Sequence, residues 1–146
     1  MSTKTFCIYP WVEQVVLPPG TVGYCCVASE GGPVYDENKQ RMKVPSQTLQ
    51  EAWNSPYMRQ IREKMLREEE VAGCKLCYYQ EQIGKKSYRQ MHNEEWKRKA
   101  PLEVSQRLAN SVHDKYEVAG SPLYLDLRLG NLCNLKCRMC NGYNST

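Results

Sequence analysis

The sequence predicts a small α+β module, a β-hairpin followed by helices, with one further strand near the C-terminus that runs into a cysteine-rich loop. Three observations predict it. Residues 9–17 and 22–27 have strand composition on either side of Pro18-Pro19-Gly20, a turn tripeptide. Residues 47–118 then carry helix starts and apolar helical spacing. Finally, Leu123-Tyr124-Leu125-Asp126-Leu127-Arg128-Leu129 alternates strictly, with leucines on one face, as a half-buried strand does.

Taken in order, the hairpin brings Cys7 and Cys25 near each other. Residues 28–45 hold Gly, Pro and Asn without a period and read as a loop. A short helix is expected over Gln47–Trp53, capped by Ser46. A second starts with Ser55 at the N-cap and Pro56 at the first helical position. Met58, Ile61, Met65 and Leu66 form its apolar stripe, which is core. Glu68-Glu69-Glu70 sits where the helix dipole disfavours acid, so that end is expected to fray before the Gly73 turn. Helices over Leu76–Ile83 and Tyr88–Lys99 break at Gly84, and Leu102–Val118 is helical with Pro101 at its start. Gly120-Ser121-Pro122 ends that helix and leads into the last strand.

Composition narrows the function classes. The chain has 146 residues and a mean hydropathy of −0.67, the size of one domain or a small domain with part of another. One Phe against ten Tyr and three Trp means a thin, amphipathic core that suits a metal staple. Apolar runs fall far short of the ~20 residues a membrane span needs. No charged n-region with an apolar h-region opens the chain. Eight cysteines without an export signal point to metal ligation in a reducing cytoplasm rather than to disulfides. Net charge is +4, with acids and bases interspersed. The basic clusters at 84–89 and 96–99 therefore read as solvated helix faces, against nucleic acid as a partner. His92 and His113 stand outside any ligand spacing, and a surface or packing role is expected for both.

Cysteine spacing carries the chemistry. Cys133, Cys137 and Cys140 form C-x3-C-x2-C directly after the last strand and Gly130-Asn131. Three thiolates in one short loop can hold three corners of a cubic iron–sulfur cluster and leave the fourth iron open to a small molecule. A zinc ribbon would need two C-x2-C pairs about 15–20 residues apart. Here 59 residues separate Cys77 from Cys137. The spacing and the preceding strand resemble the radical SAM superfamily. That resemblance implies the first strand and cluster loop of a (β/α) barrel, a [4Fe–4S] cluster on Cys133, Cys137 and Cys140, and S-adenosylmethionine on its open iron. Met139 stands where the family often has an aromatic residue near the adenine. Asp126 and Arg128 fall on the polar face of the strand, and with Tyr116 they flank the proposed site.

A second set lies in the first ninety residues. Cys7, Gly20 and Cys25 give C-x12-G-x4-C, and Cys74-Lys75-Leu76-Cys77 adds a C-x2-C pair. Together with Phe6–Trp11, Pro19–Cys26, Ala52–Pro56, Glu81 and Ser87-Tyr88-Arg89, this pattern resembles the SPASM or twitch auxiliary modules of radical SAM proteins. The arrangement is similar to that of radical SAM proteins with an N-terminal twitch domain. The resemblance implies one closed auxiliary [4Fe–4S] cluster on Cys7, Cys25, Cys74 and Cys77, with Cys26 as the alternative to Cys25. The same four thiolates also suit a structural zinc.

The resemblance thus divides the chain into an auxiliary iron–sulfur domain at 1–90, a helical connector at 91–121 and the start of a truncated radical SAM core at 122–146. It implies an enzyme that cleaves S-adenosylmethionine to a 5′-deoxyadenosyl radical for hydrogen abstraction, fed by a one-electron reductant such as flavodoxin or ferredoxin. Because the chain stops six residues after Cys140, this fragment alone is expected to be inactive. The alternatives are a non-catalytic iron–sulfur electron carrier or peptide-recognition module, and a zinc-stabilised domain that binds protein or nucleic acid.

Overall fold

The computed structural model describes residues 4–128, 130, 132, 137 and 138. Helix α1 (Tyr9–Val12) opens the fold, followed by strands β1 (Glu13–Leu17) and β2 (Thr21–Gly23). Residues 9–12 were expected to extend the first strand. Pro10 lies at the first turn, where its missing N–H costs nothing, and the Trp11 amide donates to Ile8 O at 2.9 Å, so one helical turn forms instead. The hairpin turn is the predicted one: Gly20 takes φ 91°, and a Cβ there would meet Val44 O at 2.5 Å.

The segment expected to be a plain loop runs along β2. Its bridges pair Thr21 with Lys43, Gly23 with Pro33 and Tyr35 with Arg41. The Val34 amide donates to Val22 O and the Val22 amide to Met42 O, both at 2.9 Å. These long-range bonds replace the missing local period.

Helices α2 (Leu49–Trp53), α3 (Pro56–Leu66), α4 (Lys75–Gln82), α5 (Tyr88–Lys99) and α6 (Pro101–His113) follow. The cap of α2 is Thr48, in a capping box with Glu51, and not Ser46. Ser55 caps α3 as expected. The end of α3 is closed rather than frayed. Glu68 adopts φ 61°, and the Glu69 amide reaches back to Lys64 O at 2.9 Å, as in a Schellman turn. Ser87 and Gln90 form the capping box of α5. Helix α6 ends at His113, five residues before the expected Val118.

Strand β3 (Tyr124–Leu127) pairs in parallel with β1, giving the sheet order β2-β1-β3. Strand β3 is the edge of the hairpin's sheet, with Leu123, Leu125 and Leu127 exposed. The connector helices also share the core. Val104 and Val118 are buried with Trp11, Trp53, Met58 and Met65, and Trp11 Nε1 donates to Ser111 Oγ at 2.9 Å. A fully buried arginine ties these pieces together. Arg62 donates to Pro10 O (2.8 Å), Trp53 O (2.7 Å), Tyr116 O (3.0 Å) and Asn54 Oδ1 (2.9 Å). Among the described residues no helix is long and apolar enough to cross a membrane.

Candidate metal centre

Four short segments deliver cysteines to one cleft. Cys7 lies just before α1, Cys25 just beyond β2, Cys74 at the end of a 3-10 turn (Ala72–Cys74), and Cys77 in the first turn of α4. All four line the same pocket, and Cys26 does not. Cys7, Cys25 and Cys77 are buried. None of the described cysteines is in a disulfide.

Packing explains why the cleft forms there. Gly73 lets the 3-10 turn approach β2: a Cβ at this position would meet the Tyr24 hydroxyl at 2.1 Å, and Tyr24 is itself buried. Arg89 holds the opposite wall. It donates to Phe6 O and Lys4 O, each at 2.7 Å, and pairs with Glu81. Ser87 Oγ donates to the other oxygen of Glu81 at 2.5 Å. The Glu81–Ser87–Arg89 set noted in the sequence thus clamps the segment that carries Cys7 to α4 and α5.

His92 is not a bystander. It stacks on Tyr9 with ring centroids 4.1 Å apart, its Nε2 lies 2.7 Å from the Tyr9 hydroxyl, and it lines the cysteine cleft. Its partner Tyr9 lies 83 residues earlier and could not be read from helix spacing.

Cys7, Cys25 and Cys74 are held neutral in the metal-free chain. Burial pushes Cys7 far up, and the neighbouring Cys74 and Cys77 sulfurs add to it. Burial and then Cys77 push Cys74 up to about 12. Cys25 is raised by its hydrogen bond with Cys26 and by burial, and the same bond lowers Cys26. The four sulfurs line one cleft, which is the geometry a shared metal group requires. A cation at their centre removes the penalty, because binding proceeds with loss of the thiol protons. The donor set therefore fits a closed all-cysteine group, either an iron–sulfur cluster or zinc.

Of the other expected ligands, Cys137 is exposed. Cys133, Cys140 and Met139 lie outside the described residues. Sequence reasoning missed a second constellation. Glu13, Cys26 and Asp126 bring one ligand atom each to within 4.8 Å of one another. Burial raises the Glu13 carboxyl to about 8, and the Cys26 sulfur adds to the effect. The available signal was a carboxylate heading the strand Glu13-Gln14-Val15-Val16-Leu17, whose first four residues are buried.

Residues 7–78 match the SPASM family model, described as an iron–sulfur cluster-binding domain. The match covers about half of the chain; it begins at Cys7 and ends one residue past Cys77, so it contains every thiol of the cleft. No curated protein and no solved structure matches the chain. The segment that builds the four-thiol cleft is thus similar to a SPASM domain, a family of iron–sulfur cluster-binding modules.

Proposed function

We propose that Cys7, Cys25, Cys74 and Cys77 ligate a single auxiliary [4Fe–4S] cluster, and that the chain is the N-terminal part of a radical SAM enzyme. The observation that carries the first half is the convergence of these four thiols, from four segments, on one cleft within the SPASM-like span. Four protein ligands leave no open iron, which suits electron transfer or structural support rather than substrate binding. Tyr9, Tyr24 and Ala28 shield the cleft, while Arg89 and His92 fix its wall.

The second half is supported by the C-x3-C-x2-C spacing of Cys133, Cys137 and Cys140, close behind β3. A cluster there, with S-adenosylmethionine on its open iron, would supply reductive cleavage of the sulfonium and hydrogen abstraction from a substrate carbon. A small one-electron reductant such as flavodoxin or ferredoxin is the partner this chemistry calls for.

Iron, sulfide and zinc per chain after anaerobic reconstitution test both halves. Wild type is expected to hold about eight irons, and a Cys133/Cys137/Cys140→Ala triple variant about four. About four irons in both proteins would leave the N-terminal cluster alone and refute the radical SAM half. Zinc without sulfide would refute the cluster reading altogether.

A further inference from the structure

Glu13 occupies a place where a carboxylate is costly. Its side chain is fully buried at the start of β1, and among the described residues neither carboxylate oxygen has a hydrogen-bond partner. The Tyr9 hydroxyl and the Cys26 amide lie near enough to favour the ionised form, but neither closes a hydrogen bond to it. What faces Glu13 instead is two further metal-ligand atoms, the Cys26 sulfur and an Asp126 oxygen, all within 4.8 Å of one another. A thiol and two carboxylates would ordinarily be kept apart by repulsion.

The sheet enforces their meeting. The parallel register sets Glu13 beside Tyr124 and Val15 beside Asp126, so Glu13 and Asp126 project from the same face one pair apart. The antiparallel register sets Val15 beside Gly23, which carries the chain beyond β2 toward Cys26. Arg128 supports the arrangement from outside. Its Nη2 and Nε donate to the two Asp126 oxygens at 2.8 and 3.2 Å, the kind of partner that orients a ligating carboxylate while leaving it lone pairs.

We propose that Glu13, Cys26 and Asp126 form a mononuclear site for a borderline divalent metal, zinc or ferrous iron, separate from the four-thiol cleft. One sulfur with two carboxylate oxygens excludes the all-oxygen preference of magnesium and calcium and the all-sulfur preference of cuprous copper. Three protein ligands leave a fourth tetrahedral position for water or a small ligand. Cys26 does not line the four-thiol cleft, so the two sites do not compete for it. Glu13 and Cys26 belong to the SPASM-like span, whereas Asp126 lies on β3 beyond it. A metal here would therefore pin β3, the strand ahead of Cys137, to the cysteine module.

The test is a count of metal in the full-length chain. Wild type, Glu13→Gln, Asp126→Asn and Cys26→Ser are reconstituted anaerobically with iron and sulfide, incubated with zinc chloride, desalted and analysed for both metals. Each variant is expected to hold about one zinc fewer per chain than wild type, with iron unchanged. The same one-atom difference is expected if the four-thiol cleft takes zinc in place of a cluster, so failure of the cluster proposal leaves this test readable. With cobalt(II) as the probe, the thiolate-to-metal charge-transfer band of this site is expected to vanish in Cys26→Ser. Zinc is also expected to raise the melting temperature of wild type and not that of Asp126→Asn, whose substitution lies on an edge strand. Equal zinc in wild type, Glu13→Gln and Asp126→Asn would overturn the proposal. So would a loss of iron in Cys26→Ser with zinc unchanged in all three variants, which would make Cys26 a cluster ligand.

Discussion

Replacing Arg62 with Met separates the contribution of a buried polar hub from that of the surrounding core. Arg62 is 0% exposed and has no carboxylate partner among its hydrogen bonds; its four acceptors are three backbone carbonyls and the Asn54 side chain. Burial draws its pKa down, with the nearby Glu117 opposing. It still carries its proton, because guanidinium holds one across the working pH range. Met fills similar space and strips the donors from Pro10 O, Trp53 O and Tyr116 O, each costing about 1–3 kcal/mol when left buried and unpaired. Asn54 Oδ1 keeps the Val118 amide at 3.0 Å. The desolvation of the guanidinium, and its place over the Trp53 ring at 4.8 Å, are both lost. The first loss is favourable and the second is not, so the net destabilisation is about 3–5 kcal/mol. With a urea slope of about 2 kcal/mol per molar, the unfolding midpoint should fall by about 1.5–2.5 M relative to wild type in the same metal state. A midpoint within about 0.5 M of wild type would refute the claim that this arginine joins α1, α2, α3 and the Tyr116 turn.

Other perturbations report on the site and its frame. Gly73→Ala places a methyl 2.1 Å from the hydroxyl of a buried tyrosine, and should cost about 1–3 kcal/mol and lower iron retention, read by urea denaturation and iron analysis. Ser87→Ala removes the buried cap of α5 and the bond to Glu81, and should cost about 1–2 kcal/mol by the same assay. Thr48→Ala tests a pH effect with a definite sign. The Thr48 amide and hydroxyl hold the Glu51 carboxyl below its ordinary value, so the stability they add is present above 4.5 and lost as pH falls through the lower folded value. The drop in melting temperature caused by Thr48→Ala should therefore shrink from neutral pH toward pH 3; an equal drop at both would refute it. Finally, Cys137 is exposed while Cys7, Cys25 and Cys77 are buried. Brief alkylation of the native metal-free chain should label Cys137 before those three, as peptide mass mapping would show.

Much of the frame was legible because its signals are local. Caps at Ser55 and Pro56, the turn at Gly20 and the break at Gly84 each need only a residue and its neighbours, and all stand where expected. Among the local readings that failed, two have identifiable reasons in the neighbouring residues. Ser46 and Thr48 are both good caps, and only Thr48 has a glutamate three residues on to close the box. Tyr9–Val12 has strand composition, but Pro10 favours a helical first turn. What could not be read is what depends on distance in sequence. The parallel pairing of β3 with β1 joins residues more than a hundred positions apart, and no periodicity in either strand specifies its neighbour. The partners of His92 and Arg62 are hidden in the same way. The basic clusters read as solvated faces acquire acidic partners, with Lys86 Nζ 2.5 Å from Glu94 Oε2 and Lys99 Nζ 2.5 Å from Glu95 Oε1.

The adjacent cysteines show what tertiary placement adds to a spacing rule. C-x12-G-x4-C points to Cys25, yet Cys26 lies one bond further on and has the same chemistry. In the fold the two sulfurs stay hydrogen-bonded to each other but have different surroundings: Cys25 lines the cleft with Cys7, Cys74 and Cys77, while Cys26 lies beside Glu13 and Asp126. The consequence is a double dissociation. Cys25→Ala should remove the N-terminal iron and leave the zinc-binding difference intact, because Glu13, Cys26 and Asp126 all remain. Cys26→Ala should do the reverse. Equal loss of iron in the two variants would mean that the vicinal thiols substitute for each other, and the glycine spacing would then select a segment rather than a residue.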